Sequence, residues 1–104
     1  NWRDVAGLRY RLQGRLEIDG IKGVPGQARP LQDILWTKCL YSAAIQFAHI
    51  NGAKRVVVPS AGTVLNRLKE RGADLDERKT YQRYTKTPQQ LGFKNEGSYF
   101  TYQI

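Results

Sequence analysis

Apolar and polar side chains alternate along the first part of the chain. The apolar positions carry Leu8, Tyr10, Leu12, Leu16 and Ile18, with Gly14 in phase, and arginine, glutamine or acidic side chains lie between them. Because successive side chains of a strand point to opposite faces, this period of two predicts half-buried strands with one row on a core. A glycine within such a pattern permits a sharp bend, so Gly14 is expected to form a bulge or the join between two strands. Asp19-Gly20 is expected to form a turn or a second irregularity.

A segment rich in glycine and proline ends this strand region. Three glycines and two prolines occur in the eleven residues from Gly20 to Pro30. Proline suits the first turn of a helix, where its missing N–H costs nothing, so a helix is expected to start near Pro30 or Leu31. No glycine or proline follows until Asn51-Gly52, which is a typical helix end. Apolar residues cover more than a narrow stripe of this helix, which predicts packing against a sheet with its flanks covered as well.

The second half of the chain predicts a strand, a second helix and a final strand. The run 54–58 ends in three valines, and apolar and polar residues do not alternate after Arg55, which is typical of a buried strand. Its position after a strand and a helix predicts a parallel crossover connection. Ser60 is expected to cap a helix from about Thr63 to Arg71. The polar segment 74–87 is expected to form a short helix, and Pro88 interrupts the pattern after it. The aromatic run from Tyr99 to Ile104 predicts the last strand.

These elements define the expected fold class. We predict an α/β domain built on an open mixed sheet of about four or five strands, with one long buried helix and a shorter second helix. All 104 residues are expected to form a single domain, since this is the usual size of one. The chain begins with Asn1 rather than Met, which suggests a fragment of a larger protein or a processed chain.

Composition excludes several kinds of chemistry. Seventeen Lys and Arg against nine Asp and Glu give a formal charge of +8, and the chain has one cysteine and one histidine. These numbers exclude a disulfide framework and a multi-cysteine zinc site, so no metal cofactor is expected. Cys39 is expected to be inert core. No apolar run approaches the roughly 20 residues of a membrane span, so we expect a cytoplasmic protein without a membrane partner.

Two sequence motifs, together with the element order, resemble a known enzyme family. The motifs are Ala48-x-x-x-Gly52-Ala53-Lys54-Arg55-Val56-Val57-Val58 and Leu91-Gly92-Phe93-Lys94. Over roughly residues 8 to 104 the chain resembles the carboxyl-terminal half of GNAT-type N-acyltransferases, the superfamily that depends on acetyl-CoA. The resemblance implies a GNAT-like half domain that transfers an acyl group from acetyl-CoA or another acyl-CoA to an amine. It equally allows a degenerate relative that only binds the coenzyme.

The resemblance also implies where the coenzyme would bind. In the family, backbone N–H groups of the loop before the long helix hold the pyrophosphate at the helix N-terminus. The implied contacts are Val24, Gly26, Gln27, Ala28 and Arg29. The residues give a partly independent argument, because glycines permit close backbone approach and Arg29 adds positive charge. The alternative is a connecting loop whose turn residues have no ligand.

Few side chains could serve acyl transfer, which needs a base for the amine and an acid for the departing thiolate. The resemblance implies a tyrosine acid shortly before Gly92-Phe93, and Tyr84 is the nearest candidate, followed by Tyr81. The alternative is that both tyrosines are anchors at a sheet edge. Glu17 is the candidate base, with Asp19 on the same strand; otherwise both are ordinary surface charges.

Two other functions remain open at this point. The excess of basic residues, including Arg3, Arg9, Arg11 and Arg15 on the polar side of the first strands, attracts nucleic acid nonspecifically. Tyr99, Phe100 and Tyr102 could stack bases, although adjacent strand residues cannot all face outward. A basic nucleic-acid-binding module is therefore one alternative, and a non-catalytic interaction domain is the other. An exposed sheet edge would favour a homodimer.

Overall fold

Six strands form one open mixed sheet in the computed structural model, which describes residues 2–22 and 30–104. The strands are β1 (Arg3–Val5), β2 (Leu8–Leu12), β3 (Leu16–Ile21), β4 (Arg55–Pro59), β5 (Lys94–Asn95) and β6 (Tyr99–Gln103). Their order in the sheet is β1-β2-β3-β4-β6-β5, and only the β3–β4 pairing is parallel. The predicted α/β class with an open mixed sheet is confirmed. The strand count exceeds the expected four or five because β1 and β5 are too short to produce a periodic pattern.

The helices lie between β3 and β4 and between β4 and β5. They are α1 (Pro30–Ile50), α2 (Ala61–Glu70), α3 (Glu77–Tyr81) and α4 (Thr87–Gln90), with a π-helical turn (Gln82–Lys86) joining α3 to α4. Helix α1 begins where the proline signal places it. The Ser60 hydroxyl caps α2 by accepting a hydrogen bond of 3.5 Å from the Thr63 N–H, so α2 starts two residues before the predicted position.

The β2–β3 hairpin follows the alternation of the sequence. Leu8, Leu16 and Ile18 are buried, and Gly14 turns the chain between the strands with a φ of 72°. The expected irregularity is a bulge in β3, because Arg9 pairs with Gly20 whereas Tyr10 pairs with Ile18. This leaves one extra residue in β3, which increases the local bend of the strand.

Helix α1 packs on one face of the sheet through residues spaced for one side of a helix. Leu40, Tyr41, Ala44 and Ala48 are buried, and the Phe47 ring lies edge-on to Tyr10, with 5.4 Å between the ring centroids. The expectation that the flanks of α1 are also covered is wrong at three positions, namely Leu35, Phe47 and Ile50. Cys39 is exposed rather than part of the core. It lies outside the face made by the buried positions, so its apolar neighbours do not enclose it.

The segment 77–90 is helical throughout, so the expected interruption at Pro88 is wrong. The π-helical turn precedes Pro88, and the Thr87 N–H reaches back to the Gln82 carbonyl. Pro88 then lies in the first turn of α4, where its missing N–H is tolerated. The wider π turn thus lets the helix continue past a proline.

A buried ion pair joins the π-helical turn to the beginning of α1. The Arg83 guanidinium donates two hydrogen bonds to the Asp33 carboxylate, at 2.7 and 3.2 Å, and both side chains are less than 15% exposed. The Tyr41 hydroxyl donates a 2.8 Å hydrogen bond to the Arg83 carbonyl. These contacts fix the π turn against α1.

We expect Asp33→Ala to destabilise the protein by about 3–5 kcal/mol, because it leaves the Arg83 charge largely buried without its partner. The free energy of unfolding is measured by chemical denaturation, with circular dichroism as the signal. Arg67→Gln is the matched control, since it breaks a half-exposed ion pair with Asp19 and is expected to cost less than about 1 kcal/mol. Equal losses in the two variants would contradict a structural role for the Asp33–Arg83 pair.

Candidate active site

The two parallel strands separate after a short pairing. Register between β3 and β4 covers only Leu16 with Val56 and Glu17 with Val57, although β3 continues to Ile21 and β4 to Pro59. A gap therefore opens between their carboxyl ends. In open α/β sheets, ligands characteristically bind outside the carboxyl ends of parallel strands, so this gap is the first place to look for a site.

A cavity of about 460 Å³ lies beside this gap, a size usual for small-molecule sites. One wall is the end of β3 with the β1–β2 turn, and the opposite wall is a single face of α2. That face presents Val64, Arg67, Leu68 and Arg71, which have the i, i+3, i+4, i+7 spacing of neighbours on a helix. Gly7 closes the β1–β2 turn against Lys22 with a φ of 87°, and a Cβ there would lie 3.0 Å from the Lys22 carbonyl oxygen.

Positive side chains predominate in this cavity. Arg67 and Arg9 both contact the Asp19 carboxylate, at 3.2 and 3.8 Å. Lys22 and Arg71 also line the cavity, and neither makes an ion pair among the residues that the structure describes. Asp4 is the other acidic side chain of the lining. The cavity therefore suits an anionic ligand such as a phosphate ester.

Tyr84, the first candidate acid, reaches this cavity from the π-helical turn and is buried. Its hydroxyl accepts a 2.7 Å hydrogen bond from the Ile21 N–H and donates a weak one, at 3.4 Å, to the Ile21 carbonyl. Tyr84 thus takes the place of a strand partner where β4 has left β3. Burial raises the pKa of Tyr84, and the Ile21 N–H and Arg83 offset only part of that rise. The hydroxyl remains protonated at neutral pH.

The other two catalytic candidates lie elsewhere. Tyr81 is 52% exposed and does not line the cavity. Glu17 lies on β3 outside it, held between Arg11 and Arg15, with 2.7 Å to the Arg15 guanidinium. Burial raises the pKa of Glu17, but hydrogen bonds and charge from the two arginines outweigh burial and leave this pKa below its usual value. Glu17 does not line the cavity that holds Tyr84, so it is not placed to act as the base there.

The remaining predicted contacts cannot be placed. Val24, Gly26, Gln27, Ala28 and Arg29 lie outside the described residues, which end at Lys22 and resume at Pro30. Within the described ranges, no group of three or more His, Cys, Asp or Glu side chains is arranged to hold a metal ion. None of the helices described has the length and apolarity needed to cross a bilayer.

Sequence reasoning missed the basic wall of the cavity. In the sequence, Arg67 and Arg71 are two of many basic residues in the second half of the chain. Their spacing of four residues, together with Val64 and Leu68, was the available signal, since it places all four on one face of α2. The contact of this face with β3 depends on the path of the chain and has no local signature.

We expect low pH to reduce the free energy of unfolding partly through protonation of Glu17. Its pKa is lower in the folded protein than in the unfolded chain, so its contribution to stability is present above about pH 4.5, the usual value, and is lost as the pH falls below it. Urea denaturation between neutral pH and about pH 3 should therefore show a shallower acid-induced loss for Glu17→Gln than for the wild type.

Glu96→Gln is the matched control for this measurement. Glu96 is exposed and makes no ion pair in the described part of the chain. The Glu96→Gln substitution should therefore leave the pH dependence of the free energy of unfolding as it is in the wild type. A Glu17→Gln profile that coincides with the wild type would show that the arginines do not favour the ionised carboxylate in the folded protein.

Comparison with known proteins found no match for this chain, whether among family models, curated proteins or solved structures. The features that bear on function are therefore the gap between β3 and β4, the basic cavity beside that gap, and the buried tyrosine that joins the two.

Proposed function

We propose that this domain binds an acyl-CoA and transfers its acyl group to an amine. The observation that carries the proposal is the separation of β3 and β4 next to a basic cavity lined by Tyr84. The sequence resemblance to GNAT-type N-acyltransferases supports the same function, because it includes the order of β3, α1 and β4, and the gap lies between these two strands. A domain that binds the coenzyme without catalysis is the weaker form of the proposal.

The charges of the cavity fit the coenzyme's phosphate groups. Lys22 and Arg71 are cations without a carboxylate partner in the described part of the chain, so they could pair with phosphate without first breaking an ion pair. Lys22 also immediately precedes the loop whose sequence predicts pyrophosphate contacts. Helix α1 begins directly after that loop, at Pro30, and its positive end favours an anion.

In this proposal the amine nitrogen attacks the thioester carbonyl carbon. A new C–N bond forms, the C–S bond breaks, and its electron pair leaves with the sulfur. Tyr84 donates a proton to the departing thiolate; its hydroxyl proton is only weakly held by the Ile21 carbonyl at 3.4 Å. Asp19 replaces Glu17 as the proposed acceptor of the amine proton, because Asp19 lines the cavity and Glu17 does not.

Arg71→Gln should weaken acetyl-CoA binding about tenfold, which corresponds to about 1.4 kcal/mol. Isothermal titration calorimetry gives the Kd, and thermal unfolding gives an independent check, since ligand at 100 times its Kd stabilises by about 2.7 kcal/mol. Arg78→Gln removes the same charge from an exposed site outside the cavity and should leave the Kd unchanged. Absence of binding at millimolar acetyl-CoA would overturn the proposal.

Tyr84→Phe tests catalysis separately from binding. If Tyr84 protonates the thiolate, kcat for thiol release in the presence of a panel of primary amines should fall about 10²-fold or more, while the Kd for acetyl-CoA changes little. The variant also leaves the Ile21 N–H unpaired, at about 1–3 kcal/mol, so rates are compared where both proteins are folded. Tyr81→Phe is the control. Equal kcat values for Tyr84→Phe and wild type would remove Tyr84 from the mechanism.

A further inference from the structure

The sheet has a second face, opposite α1, that carries a row of side chains across five strands. Directly paired residues of neighbouring strands share a face. The pairs Arg11–Glu17, Glu17–Val57, Val57–Thr101 and Thr101–Lys94 therefore form one continuous row from β2 to β5. Tyr10, which contacts α1, lies next to Arg11 in β2 and hence on the opposite face. This second face lies away from α1, and α2 reaches it through Thr63 and Arg67.

A trough of about 470 Å³ runs over this second face, with an aromatic side chain at each end. Trp2 precedes the edge strand β1, and Tyr99 begins β6; each is 38% exposed. Four strand spacings separate them, about 19 Å at ~4.8 Å per strand. The Arg11 guanidinium lies over the Trp2 ring, 4.5 Å from its centroid. Tyr99 and the part of the Trp2 ring that Arg11 leaves exposed thus offer stacking surfaces at the two ends of a groove that crosses the strands.

Arginines outnumber carboxylates along this trough. Glu17 is shared by Arg11 and Arg15, and Asp19 is shared by Arg9 and Arg67. Arg9 lines the neighbouring cavity, so the trough itself holds three arginines, Arg11, Arg15 and Arg67, against two carboxylates. Lys94 continues the basic row at the far edge of the sheet. An occupant that complements this surface carries negative charge and planar groups spaced along its length.

We propose that the trough binds single-stranded nucleic acid, with bases stacked on Trp2 and Tyr99 and phosphates paired with the arginines. Base stacking on aromatic side chains and a positive groove are the two features that such binding needs. A duplex is excluded because its bases are already stacked on one another and cannot reach the rings. Binding at the trough can be tested apart from acyl transfer, since Trp2, Arg15 and Tyr99 line only the trough, although Asp19 and Arg67 line both sites.

The probe is a single-stranded oligothymidylate of about ten nucleotides, within the site sizes of single-strand-binding domains. Binding is measured by fluorescence anisotropy of the labelled oligonucleotide and by quenching of Trp2 in a Trp36→Phe background, which removes the other tryptophan. We expect saturable binding that weakens as salt rises, with quenching of Trp2. Tyr99→Ala should weaken binding between about fivefold and a hundredfold, and Tyr99→Phe should bind like the wild type.

Charge variants distinguish binding of the oligonucleotide in the trough from its nonspecific attraction to a basic protein. Arg15→Gln should weaken binding more than Arg78→Gln, which changes the net charge equally but lies outside the trough. Equal losses in these two variants, or a duplex that binds as tightly as the single strand, would overturn the proposal. So would sedimentation that shows a dimer abolished by Tyr99→Ala, because a second copy of the chain would then occupy the trough. Unfolding curves for every variant exclude loss of the fold as the cause.

Discussion

The hydrogen bond between the Tyr84 hydroxyl and the Ile21 backbone is the contact on which the site depends. Parallel strands that part after two residue pairs leave backbone groups without partners, and a buried N–H without one is costly. Tyr84 supplies the missing partner from a helix 63 residues further along the chain. The gap between β3 and β4 can therefore persist as a stable feature of the fold.

The placement of Tyr84 depends in turn on the π-helical turn that carries it. The Asp33–Arg83 ion pair and the hydrogen bond from the Tyr41 hydroxyl both hold this turn to α1 through Arg83, the residue before the tyrosine. Three elements are thereby joined around one residue. π-Helical turns often occur at functional sites, and here the turn both carries the proposed acid and lets the helix continue through Pro88.

The two proposed sites meet at one ion pair. Arg67 and Asp19 line both the cavity beside β3 and the trough. The formal charge of +8 is consistent with either kind of phosphate ligand and does not choose between them. The exposure of the aromatic side chains distinguishes the two sites. Tyr84 is buried at the cavity, whereas Trp2 and Tyr99 are exposed in the trough.

Local patterns determined the α/β class, the β2–β3 hairpin with its turn at Gly14, the start of α1 at Pro30 and the buried strand β4, because alternation, proline and β-branched runs act on neighbouring residues. Only the tertiary structure decided where β3 and β4 part, which face of α2 meets β3, and that Cys39 is exposed. These depend on contacts between distant segments, such as Asp33 with Arg83 and Ile21 with Tyr84, 50 and 63 residues apart. No periodicity within one segment specifies which distant side chain completes such a pair.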